Sequence, residues 1–188
     1  MDEFARSLLS HERKEWQDPE RIVPQIGVGK GAVIADLGCG PGFFTIPLAK
    51  TVGEGGKVYA VDSSAVMLDY LRTNIKRSRL AEGIVQIEQS DVSKTSIPPR
   101  SVNFVIFANI LHDVEPGPFL GEVRRISKEN ARIVDIDWKD VDNGFGPPRG
   151  MRLSKERARD ILLRNGLTVR GEIDPGPYHY GLVCGLSK

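Results

Sequence analysis

The stretch ADLGCGPGFF, residues 35–44, decides the fold of this 188-residue chain. It joins an apolar run that ends at Leu37 to a segment in which Phe44, Leu48 and Val52 recur at helical spacing. The glycines between them let the backbone turn sharply and approach a ligand with no Cβ in the way. A strand, a glycine-rich turn and a helix in this order predict a ligand site at the carboxyl end of the strand.

Further apolar runs alternate with helical patterns along the chain. The five runs that we interpret as parallel strands are 32–37, 57–61, 84–89, 102–109 and 132–138. Two later runs, 167–173 and 178–186, are joined by the segment DPGP, which is too short for a helical crossover and predicts an antiparallel pair. We therefore expect an α/β fold, with helices on both faces of a mostly parallel sheet.

Local signals predict where several helices begin and end. Pro118 is placed to open the helix before the fifth strand, and Ser154 can cap the helix after it. Asn165 and Gly166 supply a left-handed stop for that last helix.

Composition limits the classes of protein that this chain can belong to. The 26 basic and 25 acidic side chains nearly cancel and form no blocks of like charge, so nothing supports nucleic-acid binding. Cys39 and Cys184 lack a CxxC pair and the histidines lack zinc-site spacing, so we expect neither a metal site nor disulfides. The start with Asp2 and Glu3 is unlike a secretory signal, and no run is long enough to span a bilayer. We expect a cytoplasmic protein with no membrane partner.

The glycine-rich turn differs from the fingerprint of dinucleotide-binding proteins. Its third glycine comes one residue early, and Phe43 stands where a helix would have to pack tightly. Asp36, just before the turn, would repel a pyrophosphate but attract the cationic amino-acid end of S-adenosylmethionine. These features favour the sulfonium cofactor over a nicotinamide dinucleotide.

Residues after the second and third strands complete a candidate cofactor site. Asp62, followed by Ser63, can accept hydrogen bonds from ribose hydroxyls. Asp91 can accept from an adenine amino group, while Val92 and Met67 can cover the two faces of the ring. The structural alternatives are a helix cap for Asp36 or Asp62, a turn for Asp91 and plain core packing for Met67.

Four segments in order resemble motifs I to IV of the class I S-adenosylmethionine-dependent methyltransferases. They are DLGCGPG (36–42), VYAVDSS (58–64), QSDVS (89–93) and FVIFANILHDV (104–114), and the resemblance covers roughly residues 30–140. The tail, with GPP at 146–148 and RLS at 152–154, resembles a subgroup of small single-domain prokaryotic members.

The resemblance implies a Rossmann-like seven-stranded sheet of order 3-2-1-4-5-7-6 with the last strand antiparallel. It also implies S-adenosylmethionine as cofactor, S-adenosylhomocysteine as product, and a cofactor site lined by Asp36, Gly38, Gly40, Asp62, Asp91 and Asn109. Cys39 lies inside the glycine turn, where packing explains a small thiol most simply.

We expect a single domain over residues 1–188. Residues 1–30 form a helical segment that is either a lid or a helix packed on the sheet, and 31–140 form the cofactor-binding core. Residues 141–153 form a loop on the substrate side, and 154–188 form a helix and the terminal hairpin.

His112 is the best-placed candidate for a general base, because it follows the fourth strand and histidine titrates near neutrality. The alternative is that it only shapes the loop. Methyl transfer from a sulfonium mainly requires alignment of the acceptor and exclusion of water, so a catalytic base is optional. His11 and His179 are expected to be surface or lid residues.

Arg149 and Arg152 are the candidate substrate residues, since an arginine pair in this loop can grip a carboxylate or phosphate. The alternative is pairing with local acids such as Asp140 and Asp142. Tyr178 and Tyr180 would join the site only if the last hairpin folded back near the first strand.

We expect a methyltransferase that acts on a small-molecule substrate. The alternatives are a protein or RNA methyltransferase, and a nicotinamide-dependent oxidoreductase or non-catalytic cofactor-binding protein. Asn109 is followed by Ile110 and Leu111 rather than by an Asn-Pro-Pro-Tyr motif, which argues against amide or adenine methylation. The sequence does not predict the oligomeric state or the acceptor.

Overall fold

The computed structural model describes residues 8–141, 144 and 146–187. The helices are α1 His11–Trp16, α2 Pro19–Ile26, α3 Thr45–Val52, α4 Ala65–Arg77, α5 Pro116–Ile126 and α6 Lys155–Arg164. The strands are β1 Val33–Leu37, β2 Lys57–Asp62, β3 Val85–Gln89, β4 Val102–Ala108, β5 Ser127–Trp138, β6 Leu167–Ile173 and β7 His179–Leu186. Short 3-10 turns cover Leu111–Asp113 and Arg149–Met151.

The strands form one seven-stranded sheet in the order β3-β2-β1-β4-β5-β7-β6. Strands β1 to β5 pair in parallel, whereas β7 is antiparallel to both β5 and β6. The predicted α/β class, the strand order and the antiparallel seventh strand are confirmed. The order reverses between β1 and β4, so the carboxyl ends of these two strands border a crevice where ligands bind in open sheets of this kind.

Apolar side chains cover both faces of the sheet, which is why its central strands are continuous hydrophobic runs. On one face Phe107 of β4 packs with Phe119 of α5 and Leu162 of α6. On the other face Ile22 of α2 and Leu48 of α3 pack against the sheet. The prediction of helices on both faces is confirmed.

Some predicted boundaries were wrong by a few residues. Helix α5 begins at Pro116 rather than Pro118, because Pro116 already occupies the first turn, where a missing N–H costs nothing. Strand β5 begins at Ser127, five residues before the predicted 132, because its backbone is extended through the polar run 128–130, which is half-buried at 128 and exposed at 129 and 130. The cap at Ser154 is confirmed, since its hydroxyl accepts the backbone N–H of Arg157 at 3.2 Å.

The N-terminal helices pack against the C-terminal hairpin. The Trp16 ring stacks on His179, with 5.5 Å between the ring centroids. The β6–β7 turn fits so closely that a Cβ on Gly176 would collide with the carbonyl oxygen of Trp16. Gln25 of α2 exchanges hydrogen bonds of 3.0 and 2.9 Å with the backbone of Asp174. The expectation that His179 is a surface or lid residue was wrong: it is fully buried, because α1 covers it.

Within the described ranges, none of the helices has both the length and the apolar character that a membrane crossing requires.

Candidate cofactor and acceptor site

A cavity of about 420 Å³ lies at the carboxyl ends of β1, β2 and β4. This is the crevice that the strand order predicts, and its size lies within the range of roughly 300–1,000 Å³ that is usual for small-molecule sites. Its wall brings together the predicted residues Asp36, Gly38, Cys39, Gly40, Asp62, Ser63, Met67, Val92 and Asn109.

Asp91 is the predicted cofactor residue that the cavity wall does not include. Its exposed carboxylate accepts the backbone N–H and the hydroxyl of Ser93 at 2.8 and 2.7 Å, and these bonds lower its pKa. Asp91 therefore forms a turn, which was the alternative to its predicted contact with adenine, while its neighbour Val92 lines the cavity.

The glycine turn has a shape that larger residues cannot adopt. Gly38 has a φ of +73°, and a Cβ there would lie 2.6 Å from Cγ2 of Ile110. Gly40 has a φ of +53°, and its Cβ direction is open to a ligand, with nothing within 4 Å. The first glycine thus permits close packing, and the second leaves room for a bound molecule.

Asp62 fastens this turn to the end of β2. Its Oδ2 accepts the N–H of Gly40 at 2.8 Å, and its Oδ1 accepts the N–H of Ser64 at 2.9 Å. A carboxylate has about four acceptor positions, so capacity remains for the hydroxyls of a ligand ribose. Asp62 is not the helix cap that was its structural alternative, because Ser64 is the N-cap of α4.

Asp36 sits at the base of the cavity and is almost completely buried. The Thr45 hydroxyl donates to its Oδ2 at 2.6 Å. Burial, reinforced by the nearby charge of Asp62, raises the pKa of Asp36 to about 7 despite that hydrogen bond. A ligand cation beside this carboxyl group would stabilise its ionised form.

Cys39 and Met67 line the cavity with sulfur. Burial raises the pKa of the Cys39 thiol far above its usual range, so the side chain is a neutral packing group beside Leu68 and Leu71. Met67 lies in the first turn of α4, where its N–H donates to Ser64 Oγ at 3.3 Å.

Asn109 follows β4 in a left-handed conformation, with a φ of +62°. Its backbone N–H donates to the Ile136 carbonyl at 2.7 Å, which fixes the unusual geometry. Its buried Oδ1 has no hydrogen-bond partner among the described residues. Backbone strain and an unsatisfied acceptor in a cavity wall are typical of a residue that contacts a ligand.

A second cavity, of about 540 Å³, adjoins the first one. Four residues line both cavities, namely Leu8, Arg13, Asn109 and Asp113. The remaining wall of the second cavity includes Trp16, His112, Trp138, Gly146 and Pro147. A molecule in one cavity can therefore reach a molecule in the other past the end of β4.

His112 is held in this second cavity by Asp137 of β5. The imidazole Nδ1 lies 2.8 Å from Asp137 Oδ1, and the His112 backbone N–H donates to Oδ2 at 3.2 Å. Asp137 is fully buried and also accepts the N–H of Trp138 at 2.8 Å. Burial by itself lowers the pKa of His112, but the hydrogen bond and charge of Asp137 outweigh this and raise it. Sequence reasoning missed Asp137, although its place at the end of the strand beside β4 was a usable signal.

Arg13 of α1 is a second functional candidate that the sequence did not indicate. Its Nε and Nη2 donate to Gln17 Oε1 at 3.0 and 2.7 Å, and its Nη1 donates to the Leu8 carbonyl at 2.9 Å. Its guanidinium carbon lies 3.8 Å from the centroid of the Phe43 ring. Burial lowers the pKa of this side chain to about 9.

Arg149 and Arg152 lie in neither cavity wall. Arg149 Nε pairs with Asp140 at 2.9 Å, which is the local alternative that the sequence left open. Arg152 Nη1 donates to the carbonyls of Lys139 and Val141, at 3.2 and 2.6 Å, so it shapes the loop after β5. Asp142, the other acid considered as a partner, lies outside the described residues.

The two candidate tyrosines take different positions. Tyr180 is buried on β7 opposite Asp137, since the hairpin pairs with β5 and not with the first strand. The Tyr178 ring lies 5.9 Å from that of Trp16.

The sheet order, the reversal between β1 and β4 and the cavity beside the glycine turn are the features of the class I methyltransferase fold. The chain belongs to the methyltransferase domain family, whose family model matches residues 34–130.

Solved structures support this assignment over nearly the whole chain. An S-adenosylmethionine-dependent methyltransferase from Aquifex aeolicus is 31% identical, with a TM-score of 0.91 and coverage of 99% of both chains. A putative type 11 methyltransferase from Sulfolobus solfataricus is also 31% identical, with a TM-score of 0.77 and coverage of 92% of this chain and 94% of that one. The dependence on S-adenosylmethionine and the methyltransferase class that the sequence predicted are confirmed.

A curated relative, the demethylmenaquinone methyltransferase of Staphylococcus aureus strain Newman, is 39% identical over 137 residues. The match covers 72% of this chain and 54% of the relative. The chain spans about half the length of the curated relatives that it matches.

Proposed function

We propose that this protein transfers a methyl group to a small-molecule acceptor bound in the second cavity, with the cofactor in the first. The observation that carries the proposal is the junction of the two cavities at Asn109, beside the His112–Asp137 pair. An acceptor placed there would lie between the cofactor site and a histidine able to take a proton.

The residues around the first cavity fit S-adenosylmethionine. Asp36 suits its amino group, Asp62 its ribose hydroxyls, and Val92 and Met67 the faces of its adenine. Gly40 leaves the space for it, and the unpaired Oδ1 of Asn109 offers a further acceptor. When bound, the cofactor supplies a methyl group on a sulfonium, which leaves as a neutral thioether without needing an acid. Asp91 can contribute only if its carboxylate turns away from Ser93.

His112 would act as general base for an acceptor whose nucleophilic atom carries a proton. With Nδ1–H donated to Asp137, the imidazole presents Nε2 as the nitrogen that can accept the proton. The buried Asp137 carboxylate fixes this tautomer and stabilises the imidazolium that forms. Alignment of the acceptor and exclusion of water by the surrounding aromatic wall supply the rest of the catalysis.

Two observations favour a small acceptor over a polymer. The second cavity is roofed by α1 and has the volume of a small-molecule site, about 540 Å³. The demethylmenaquinone methyltransferases that the chain resembles are also named for a small molecule. Both cysteines are free thiols, which suits a reducing compartment, so we place the protein in the cytoplasm.

Calorimetric titrations test the cofactor assignment. S-adenosylmethionine and S-adenosylhomocysteine should bind, while NADH should not. Asp62→Ala should weaken S-adenosylhomocysteine at least tenfold through the lost ribose contacts, about 1.4 kcal/mol. Asp69→Ala is the matched control, because Asp69 is an exposed acid on the next helix, α4, where its side chain pairs with its neighbour Arg72. Binding of NADH alone, or unchanged affinity in Asp62→Ala, contradicts the proposed site.

A screen with methyl-labelled cofactor tests the acceptor class. Cell extract is separated into metabolite, RNA and protein fractions, and each is incubated with the enzyme. Label in the metabolite fraction supports the proposal. Label confined to RNA or protein would replace it with one of the macromolecular alternatives, and no transfer in any fraction would favour a cofactor-binding role.

A further inference from the structure

Arg13 brings a positive charge, which forms no ion pair with the described residues, into the wall shared by the two cavities. The residue is 8% exposed, and its guanidinium donates three hydrogen bonds to the neutral oxygens of Gln17 and Leu8. A guanidinium has five N–H donors, so the contacts with residues from Leu8 onward leave two of them for a ligand. A buried charge without a counter-ion is costly, and an anionic ligand would offset that cost.

The partner of Arg13 is an amide where a carboxylate would fit. Gln17 is fully buried, and its Oε1 accepts hydrogen bonds from both Nε and Nη2 of Arg13. Its Nε2 has no hydrogen-bond partner among the described residues. A glutamate at this position would make a bidentate ion pair and neutralise the arginine. The glutamine holds the guanidinium in place and leaves its charge available.

Other charges near the second cavity do not cancel this one. Glu12 and Asp113 line the cavity but are exposed, so water screens their charges. The buried carboxylate of Asp137 is committed to His112 and to the N–H of Trp138. Of the charged side chains from residue 8 onward that line this cavity, Arg13 is therefore the one that sets its electrostatic preference.

The walls beside Arg13 are aromatic. Trp16, one turn along α1, and Trp138, at the end of β5, both line the second cavity, and their ring centroids are 5.5 Å apart. Indole rings favour flat, apolar bodies, and a neighbouring guanidinium favours an oxygen anion at the edge of such a body.

We propose that the acceptor is an aromatic oxyacid, meaning a planar ring that carries a carboxylate or an ionised hydroxyl, and that Arg13 binds this anionic group. Cationic acceptors such as protonated amines are disfavoured by the same charge. This inference rests on the proposed function, because it names the substrate class of the same site.

Fragment binding tests the inference without knowledge of the natural acceptor. Benzoate, benzyl alcohol and benzylammonium share one ring and differ in charge. The chain has two tryptophans, and both line the second cavity, so fluorescence excited at their absorption edge reports binding there. With S-adenosylhomocysteine present, benzoate should bind at least tenfold more tightly than benzylammonium, with benzyl alcohol between them. Equal affinities, a preference for the cation, or no response to any fragment would overturn the inference.

Gln17→Glu removes the free charge while keeping Arg13. The benzoate preference should then fall to less than threefold. Gln86→Glu, the same charge change at an exposed position on β3, should leave the preference intact. Arg13→Lys should keep part of the preference, which separates loss of charge from loss of folding. An unchanged preference in Gln17→Glu would contradict the role of Arg13.

The carboxylate of the cofactor is a second possible partner for Arg13, and a separate titration distinguishes it. S-adenosylhomocysteine has this carboxylate, and 5′-methylthioadenosine lacks it. If Gln17→Glu weakens the first at least tenfold and leaves the second unchanged, Arg13 serves the cofactor and the inference is wrong. If neither compound binds the wild-type protein, the proposed function fails. The affinities of benzoate and benzylammonium, measured without either compound, still show whether the second cavity prefers an anion.

Discussion

Lowering the pH should weaken the cofactor through the protonation of Asp36. This carboxyl group lines the first cavity, and burial raises its pKa to about 7. If only its ionised form attracts the ligand ammonium, the ionised fraction sets the affinity. Between pH 7.5 and 5.5 that fraction falls from about 0.76 to about 0.03, which predicts a loss of about 25-fold, or about 1.9 kcal/mol.

Calorimetric titration of S-adenosylhomocysteine at the two pH values measures this loss. Asp36→Asn is nearly isosteric and keeps an acceptor for the Thr45 hydroxyl, so it should bind weakly at both pH values, with little change between them. The compound 5′-methylthioadenosine lacks the cationic α-amino group of the amino-acid end and serves as the control, with little pH dependence in the wild type. Equal affinity of the wild type at both pH values, or the same loss for the control compound, would refute the pairing of Asp36 with the ligand cation.

Three further predictions concern other parts of the molecule. Because Asp137 raises the pKa of His112 above 6.5, the rate of methyl transfer should fall as the pH drops below that pKa. Asp137→Asn should move this acidic fall in rate to lower pH, measured as a pH–rate profile with the acceptor that the labelling screen identifies. Gly38→Ala should destabilise the fold by about 1–3 kcal/mol in denaturant unfolding, since its φ is positive and its Cβ would meet a side-chain carbon at 2.6 Å; Gly150→Ala, with nothing within 4 Å, should be nearly neutral. Burial, helped by nearby cations, lowers the pKa of His179 to about 3, so the unfolded chain takes up the proton first and stability is lost as the pH falls below 6.5. Between pH 7.5 and 4.5 the wild type should lose about 2.6 kcal/mol more than His179→Phe in unfolding titrations, and parallel curves would contradict a neutral buried histidine.

The sheet could be predicted because its strands are buried on both faces. A continuous apolar run can be recognised as a buried strand without knowing which strands lie beside it, so β1 to β4 could be predicted from the sequence. The first part of β5 was missed, because residues 128–130 are polar and only 128 is even half-buried, while their backbone stays extended. Side-chain periodicity reports burial, and it says little about an extended segment in water.

The cofactor cavity could be predicted for a related reason. The residues that build it follow the ends of neighbouring strands, so the strand order alone brings Asp36, Asp62 and Asn109 together. The second cavity depends on where the short helix α1 docks. Nothing local in the sequence shows that Arg13 faces Phe43, or that Trp16 meets a ring more than a hundred residues away.

The docking of α1 also sets an order of events during synthesis. Trp16 rests on Trp138, on His179 and against Gly176, all of which leave the ribosome long after α1. Until the final hairpin has been made and paired with β5, α1 lacks these contacts and cannot roof the second cavity. Contacts between residues far apart in sequence form late, because closing a long loop costs conformational entropy before the contacts that offset this cost have formed. Without the last strand, Leu8 and Arg13 would not be held in the wall that the two cavities share, so both cavities would stay open to water on that side.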